Sequence, residues 1–218
     1  MRKILHGIAG GLVALVAAGT ALALAVHAGH IYTGADQPHP PIVSKLLEWA
    51  RERSIMRESE GITPPANLAE PERARRGAGN YAAMCASCHL AAGQETSELR
   101  TALYPQPPNL AQAGKSSAIA DPSRLAARQF WIIKYGIAAS GMPAWSKSGM
   151  EDEAIWDLVA FLHVLPTLST EKYRQIVAAS DGHSHRGADT PHPPAAATRT
   201  RGKPDPHPNS HSHDKHSH

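Results

Sequence analysis

The residues best equipped for chemistry stand in one run, "YAAMCASCHLAAG", from Tyr81 to Gly93. It holds the only two cysteines of the 218-residue chain, Cys85 and Cys88, and His89 follows at once. Chance would assemble this cluster in roughly one such sequence in a thousand. Three chemistries use a Cys-x-x-Cys pair. A redox dithiol leaves His89 without a part and asks for a βαβ setting. A structural zinc ion needs four ligands, and there is no second cysteine pair to supply them. Covalent haem attachment uses every position: each thiol adds to a vinyl group, and the adjacent imidazole becomes an axial ligand of the iron. The expected cofactor is one haem c, held by Cys85 and Cys88, with His89 on the metal.

A six-coordinate iron needs a second axial ligand from elsewhere. Met84 adjoins Cys85 and is tied to the attachment side of the ring; Met56 precedes the haem segment; Met150 suits a core position at the start of the last helix. Met142 lies in the loop "GMPAW", where Gly141 permits close approach to a flat ring and Pro143 restricts Met142 to an extended backbone. The plain alternative is a core methionine. His163 is the competing ligand, expected on the outer face of its helix. The second nitrogen of His89 needs an acceptor to orient the ring, and the proline-locked "PQPPNL" offers the carbonyl of Pro108. Tyr104 and Trp145 are candidates for the haem propionates, with packing the plainer role for Trp145.

The elements that must position these groups read as helices throughout. "PERARRGAGNYAAMCA" is alanine-rich and helix-prone, with Gly77, Tyr81 and Cys85 one turn apart. "HLAAGQETSELRTALYPQPPNL" reads mostly as loop. "DPSRLAARQFWIIKYG" is a helix with Asp121 as N-cap, Pro122 behind it and Gly136 past its end. A last helix is expected to open on a capping box of Ser148 and Glu151 and to bury Ile155, Leu158, Val159 and Leu162. No strand and no internal repeat is expected.

The flanks differ from this centre. Arg2 and Lys3 precede Ile8 to Val26, 19 residues without a charge, a helix of roughly 28 Å that would cross a bilayer. Residues 1–28 are a transmembrane anchor or a signal segment, the length favouring a retained anchor. Either way the chain beyond is exported, with Arg2 and Lys3 left in the cytoplasm. The expected location is a bacterial inner membrane, single-pass, with the haem domain in the periplasm. Residues 29–70 form a linker with an amphipathic helix whose apolar stripe, Ile42, Val43, Leu46, Leu47 and Ala50, is expected to pack on the haem domain. Formal net charge is only +3, and from Lys45 to Arg76 seven basic residues face six acidic ones. No nucleic-acid partner is indicated.

Taken in order, the Gly77/Tyr81 helix, "CASCH", "PPNL", "GMPAW" and "DLVAFL" resemble a class I c-type cytochrome over residues 71–168, most like the monohaem domains of membrane-anchored bacterial cytochromes. The resemblance implies an all-α cytochrome c-like haem domain in which Gly77 and Tyr81 pack against Leu158 and Phe161 where first and last helices cross. It further implies that Pro108 takes the His89 hydrogen bond and that Met142 binds iron. The function implied is single-electron transfer between membrane or periplasmic redox proteins, with no enzymatic step. A five-coordinate iron open to gas or peroxide is the alternative.

Residues 169–218 form a C-terminal extension, expected to be a disordered His-rich tail from about 181. Eight of the 14 histidines lie there. His183, His185, His211, His213, His216 and His218 are spaced to bind copper, nickel or zinc, and periplasmic metal handling is the third functional reading.

Overall fold

The computed structural model describes residues 2–112 and 121–187. Helix is the only regular structure among the described residues. An apolar helix, α1 (Arg2–His27), is followed by α2 (Pro41–Ser59) and α3 (Pro71–Asn80). The chain from α3 passes without a break through one π-helical turn, Tyr81–Cys85, into α4 (Ala86–His89). Then come α5 (Glu98–Ala102), α6 (Pro122–Tyr135), α7 (Asp152–Val164) and α8 (Thr170–Ala178). The stretch His6–His27 of α1 has a mean hydropathy of 2.2 and is long enough to cross a membrane. That fits an anchor and fits a signal sequence equally well.

The core forms where α3 crosses α7. Ala78, Tyr81, Ile155, Leu158, Val159, Phe161 and Leu165 are buried there. Gly77 makes the crossing possible: a Cβ on it would overlap the carbonyl oxygen of Asp157 and stand 2.6 Å from its carbon. The ring of Tyr81 packs on Phe161 at 5.2 Å between centroids. A second layer stacks Phe130 of α6 on Trp156 at 4.2 Å.

Polar groups lock the same crossing. Asp157 is buried on α7 and takes Arg73 at 3.0 Å and both nitrogens of an Arg76 fork at 2.7 and 2.9 Å. Arg73 also reaches Glu153 at 2.8 Å and Asn67 at 3.0 Å. The charges therefore lie on the helix faces that meet, which leaves no buried side-chain nitrogen or oxygen without a partner among the described residues.

Several sequence expectations are corrected here. The last helix does not open on a Ser148–Glu151 capping box. Ser148 ends a 3-10 turn, Trp145–Ser148, where its hydroxyl donates to the Trp145 carbonyl, and α7 begins at Asp152 without a side-chain cap. The apolar stripe of α2 is not its packing face. Ile42, Leu46, Leu47 and Trp49 are all more than half exposed, whereas Ile55 and Ser59 near its C-terminus are buried. There α2 meets α6, and Glu52 accepts from Arg128 at 2.8 Å. The reason is a competition between patterns: the helical apolar spacing marks one face, but the ion pair and Ile55 settle which side α6 receives. Packing does not stop at residue 168 either. Tyr173 of α8 is buried against Tyr81 and Phe161, 6.5 and 6.2 Å away between ring centroids.

The tail expected to be disordered from about 181 makes ordered contacts as far as 187. Arg75 holds Asp181 at 3.0 Å, the Ser184 amide donates to Asn80 at 2.8 Å, and the Glu151 amide donates to the His185 carbonyl at 2.9 Å. Each partner is a side chain or free helix-end amide of the crossing helices, so short polar residues gain order by saturating them. His211, His213, His216 and His218 lie outside the described residues.

Candidate haem-attachment site

His89 ends α4, and its ring is fixed from behind. Its Nδ1 lies 2.9 Å from the carbonyl oxygen of Pro108. A carbonyl can only accept, so the proton is on Nδ1 and the lone pair on Nε2 is left for a metal. Burial pushes the imidazole below its ordinary pKa, the Pro108 bond opposes this, and the Arg100 charge adds to the lowering. The net effect favours the neutral ring a metal requires.

The backbone around His89 is clamped as well. The buried Tyr81 hydroxyl donates to the Leu90 carbonyl at 2.6 Å and reaches the His89 carbonyl at 3.2 Å. The Leu110 amide donates to the same His89 carbonyl at 3.1 Å. Leu90 itself is fully buried at φ 69°, a left-handed conformation rare for a branched residue. Such a conformation costs on the order of 1–3 kcal/mol and persists where neighbours over-determine it; here the Tyr81 hydroxyl and the Leu90 side chain do so.

The loop that carries Pro108 is built by α5, a short helix inside the segment expected to be mostly loop. Ser97 caps α5 by accepting the Arg100 amide at 3.1 Å, and Arg100 Nε donates to the Pro107 carbonyl at 3.0 Å. Arg100 thus holds one proline carbonyl while the next one holds His89. A Ser-x-x-Arg helix start followed by "PQPPNL" was the available signal.

Cys85 and Cys88 are free thiols, both partly buried. Burial, helped by the nearby Cys88, pushes the Cys85 thiol up to about 12. A reactive redox cysteine has a depressed pKa instead, the opposite direction to that of Cys85.

Met142 is held by its backbone. Its amide donates to Ser140 Oγ at 3.1 Å, and its carbonyl accepts from the Ile137 amide at 3.1 Å. Gly136, at φ 68°, does more than end α6: a Cβ there would stand 2.7 Å from the Met142 oxygen and from the Ala144 nitrogen. Ser146 then donates to the Lys134 carbonyl at 2.7 Å, tying the loop to the end of α6. Met142, Cys85, Leu110 and Trp145 all pack, partly buried, on the one apolar cluster formed by the α3–α7 core.

The structure also places the remaining candidate residues. Tyr104 is engaged by the linker: its oxygen accepts the His39 amide at 3.0 Å, its ring stacks on His39 at 5.2 Å, and Ser44 of α2 lies 3.5 Å away. Ser44 and His39 hold the phenol below its ordinary pKa. His39 and Ser44 are the partners of the Tyr104 hydroxyl among the described residues. Gly141 meets the Leu103 side chain, a methyl of which lies 2.8 Å from where its Cβ would be. His163 is exposed on α7, with Nε2 3.1 Å from Gln129. His183 and His185 lie together, 4.8 Å between ring centroids.

Comparison with known families decides the class. Residues 72–162 match the family model described as cytochrome c oxidase, cbb3-type, subunit III. This segment is a monohaem class I c-type cytochrome domain. No curated protein and no solved structure matches the chain. A c-type cytochrome domain carries covalently bound haem and transfers electrons. The donor set fits that group: two unoxidised thiols, an imidazole with Nε2 free, and a thioether on the same apolar cluster.

Proposed function

We propose that the protein is a membrane-anchored periplasmic electron carrier in which Cys85 and Cys88 would fasten a single haem and His89 and Met142 would bind its iron. The observation that carries this reading is the His89–Pro108 hydrogen bond, which leaves one imidazole nitrogen protonated and the other available. When bound, the haem supplies a reversible one-electron couple, and His/Met ligation raises its potential.

The chain's own residues do the rest. Cys85 and Cys88 fix the group in register with His89. Pro108 and the Tyr81 hydroxyl hold the ring and backbone of His89 at one orientation, so little rearrangement is needed between redox states. Gly136 and Ser140 hold Met142 in a loop of fixed shape. Two protein ligands leave no coordination site for a substrate, which is why the reading is a carrier and not an enzyme. A retained α1 would confine the search for redox partners to the plane of the membrane and raise their effective concentration. The partners proposed are membrane or periplasmic redox proteins. In domain terms we read 1–28 as anchor, 29–70 as linker and helix, and the haem domain as beginning at 71.

The test is spectroscopic and by mass. The membrane-extracted protein is expected to weigh one haem more than its polypeptide after acid and acetone, and to keep residues 1–28. The oxidised protein is expected to show the weak far-red charge-transfer band of a thioether–iron pair, and Met142→Ala is expected to abolish it while leaving the haem attached. A band that survives in Met142→Ala overturns the axial assignment; pigment lost to acidic acetone overturns the attachment.

A further inference from the structure

Met84 takes no part in holding His89, and sequence position keeps it on the attachment side of the ring. Its sulfur is nonetheless met by an imidazole: His183 Nε2 lies 3.1 Å from Met84 Sδ. The ring of His185 stands edge-on to His183 at 4.8 Å. His185 Nδ1 is 3.0 Å from the Ser148 carbonyl. That carbonyl can only accept, so His185 holds its proton on Nδ1 and offers the lone pair of Nε2. A backbone carbonyl behind the ring is the usual support of a metal-binding histidine.

We propose that Met84, His183 and His185 form a binding site for one Cu(I) ion, separate from the haem iron. Four observations converge on it. The segment is pinned from both sides, by the Asn80 side chain on the Ser184 amide at 2.8 Å and by the Glu151 amide on the His185 carbonyl at 2.9 Å. Asn80 is itself buried. Gly182, at φ 78°, turns the chain so that its carbonyl lies against Gly79, where a side chain on α3 would collide. The His183–Met84 pair suits a shared ion: donors each about 2.0–2.3 Å from one metal stand about 3–4 Å apart, and His183 Nε2 and Met84 Sδ are 3.1 Å apart. The metal follows from the ligand types. No three His, Cys, Asp or Glu side chains converge among the described residues, which disfavours zinc. A thioether with two imidazoles is a soft set that selects Cu(I). His183 is exposed and Met84 and His185 are half-buried, so an ion can enter. The site does not depend on the axial assignment of Met142.

The experiment uses the full-length holoprotein with His192, His207, His211, His213, His216 and His218 changed to Ser, so that only this site is read. Cu(I), kept reduced by ascorbate, is titrated against a chromogenic Cu(I) chelator. One equivalent is expected to be retained. Met84→Leu, His183→Asn and His185→Asn are each expected to weaken retention tenfold or more, with the haem spectrum unchanged. X-ray absorption at the copper edge is expected to show one sulfur and two nitrogens, with the sulfur lost in Met84→Leu. Should Met84→Leu impair haem attachment, the two histidine variants and the copper-edge spectrum of the parent decide. No retained equivalent, retention untouched by His185→Asn, or a parent copper shell without sulfur each overturns the site.

Discussion

The most consequential single group outside the CASCH segment is the Tyr81 hydroxyl. It is buried, it donates to the Leu90 carbonyl at 2.6 Å, and it holds Leu90 in a left-handed conformation directly after His89. Burial foremost raises its pKa well above the ordinary phenol value, so it stays a donor at any physiological pH. Tyr81→Phe keeps the ring on Phe161 and removes only that donor. The buried Leu90 carbonyl then has lost its partner, at a cost of about 1–3 kcal/mol. The expected result is a lower thermal midpoint with haem still covalently attached, measured by calorimetry of the holoprotein. An unchanged midpoint would show that the hydroxyl bears no strain for Leu90. Pro108 and His89 were legible as a pair because both are tied to short local patterns. The Tyr81 contact was not, because its acceptors are main-chain atoms whose position depends on a fold that no residue type encodes alone.

At the scale of elements, the α3–α7 crossing carries the domain, and its polar half is where sequence reading fell short. Gly77 was identified as a packing position. Arg73, Arg76 and Asp157 were not, since charged residues on a helix usually face water. Here two guanidiniums converge on one buried carboxylate, and a third contact runs from Arg73 to Glu153. Removing one partner of a buried pair costs about 3–5 kcal/mol, because the remaining charge stays buried. Asp157→Asn retains shape and removes the charge, so a loss near about 3 kcal/mol is expected, seen as a thermal midpoint lower by at least about 10 °C. Glu153→Gln, whose side chain is half exposed, is expected to have a much smaller effect. Equal effects of the two would mean that burial does not rank these charges. The same reasoning explains the missed α8: Tyr173 is one aromatic among polar neighbours, and its value lies in the space beside Tyr81 and Phe161, not in any periodicity.

On the scale of the whole molecule, the question is how the segment after α1 is joined to the cytochrome domain. The sequence marked an apolar stripe on α2, yet the joint is the Glu52–Arg128 pair with Ile55 and Ser59, while Leu46 and Trp49 face out. Hydrophobic spacing reports that a helix has an apolar face; it does not report which neighbour claims which face. Burial pushes the Glu52 carboxyl up, but its bonds to Arg128 and Arg51 outweigh this and hold its pKa below the ordinary 4.5. A carboxyl depressed in the folded state contributes its stability above the unfolded pKa and loses it as pH falls through the lower, folded value. The pair is partly exposed and is worth about 1 kcal/mol at most. Docking of α2 is therefore expected to be intact at neutral pH and to loosen below about pH 4.5. Hydrogen exchange of the Ile55–Ser59 amides, corrected for intrinsic rate, would read it. Glu52→Gln is expected to lower protection of these amides at pH 7 and to flatten its dependence on acid, and Arg128→Gln to lower it likewise at pH 7. If protection in Glu52→Gln still falls with acid as in the parent, another carboxylate governs the joint, and the ion pair is a bystander to the packing of Ile55.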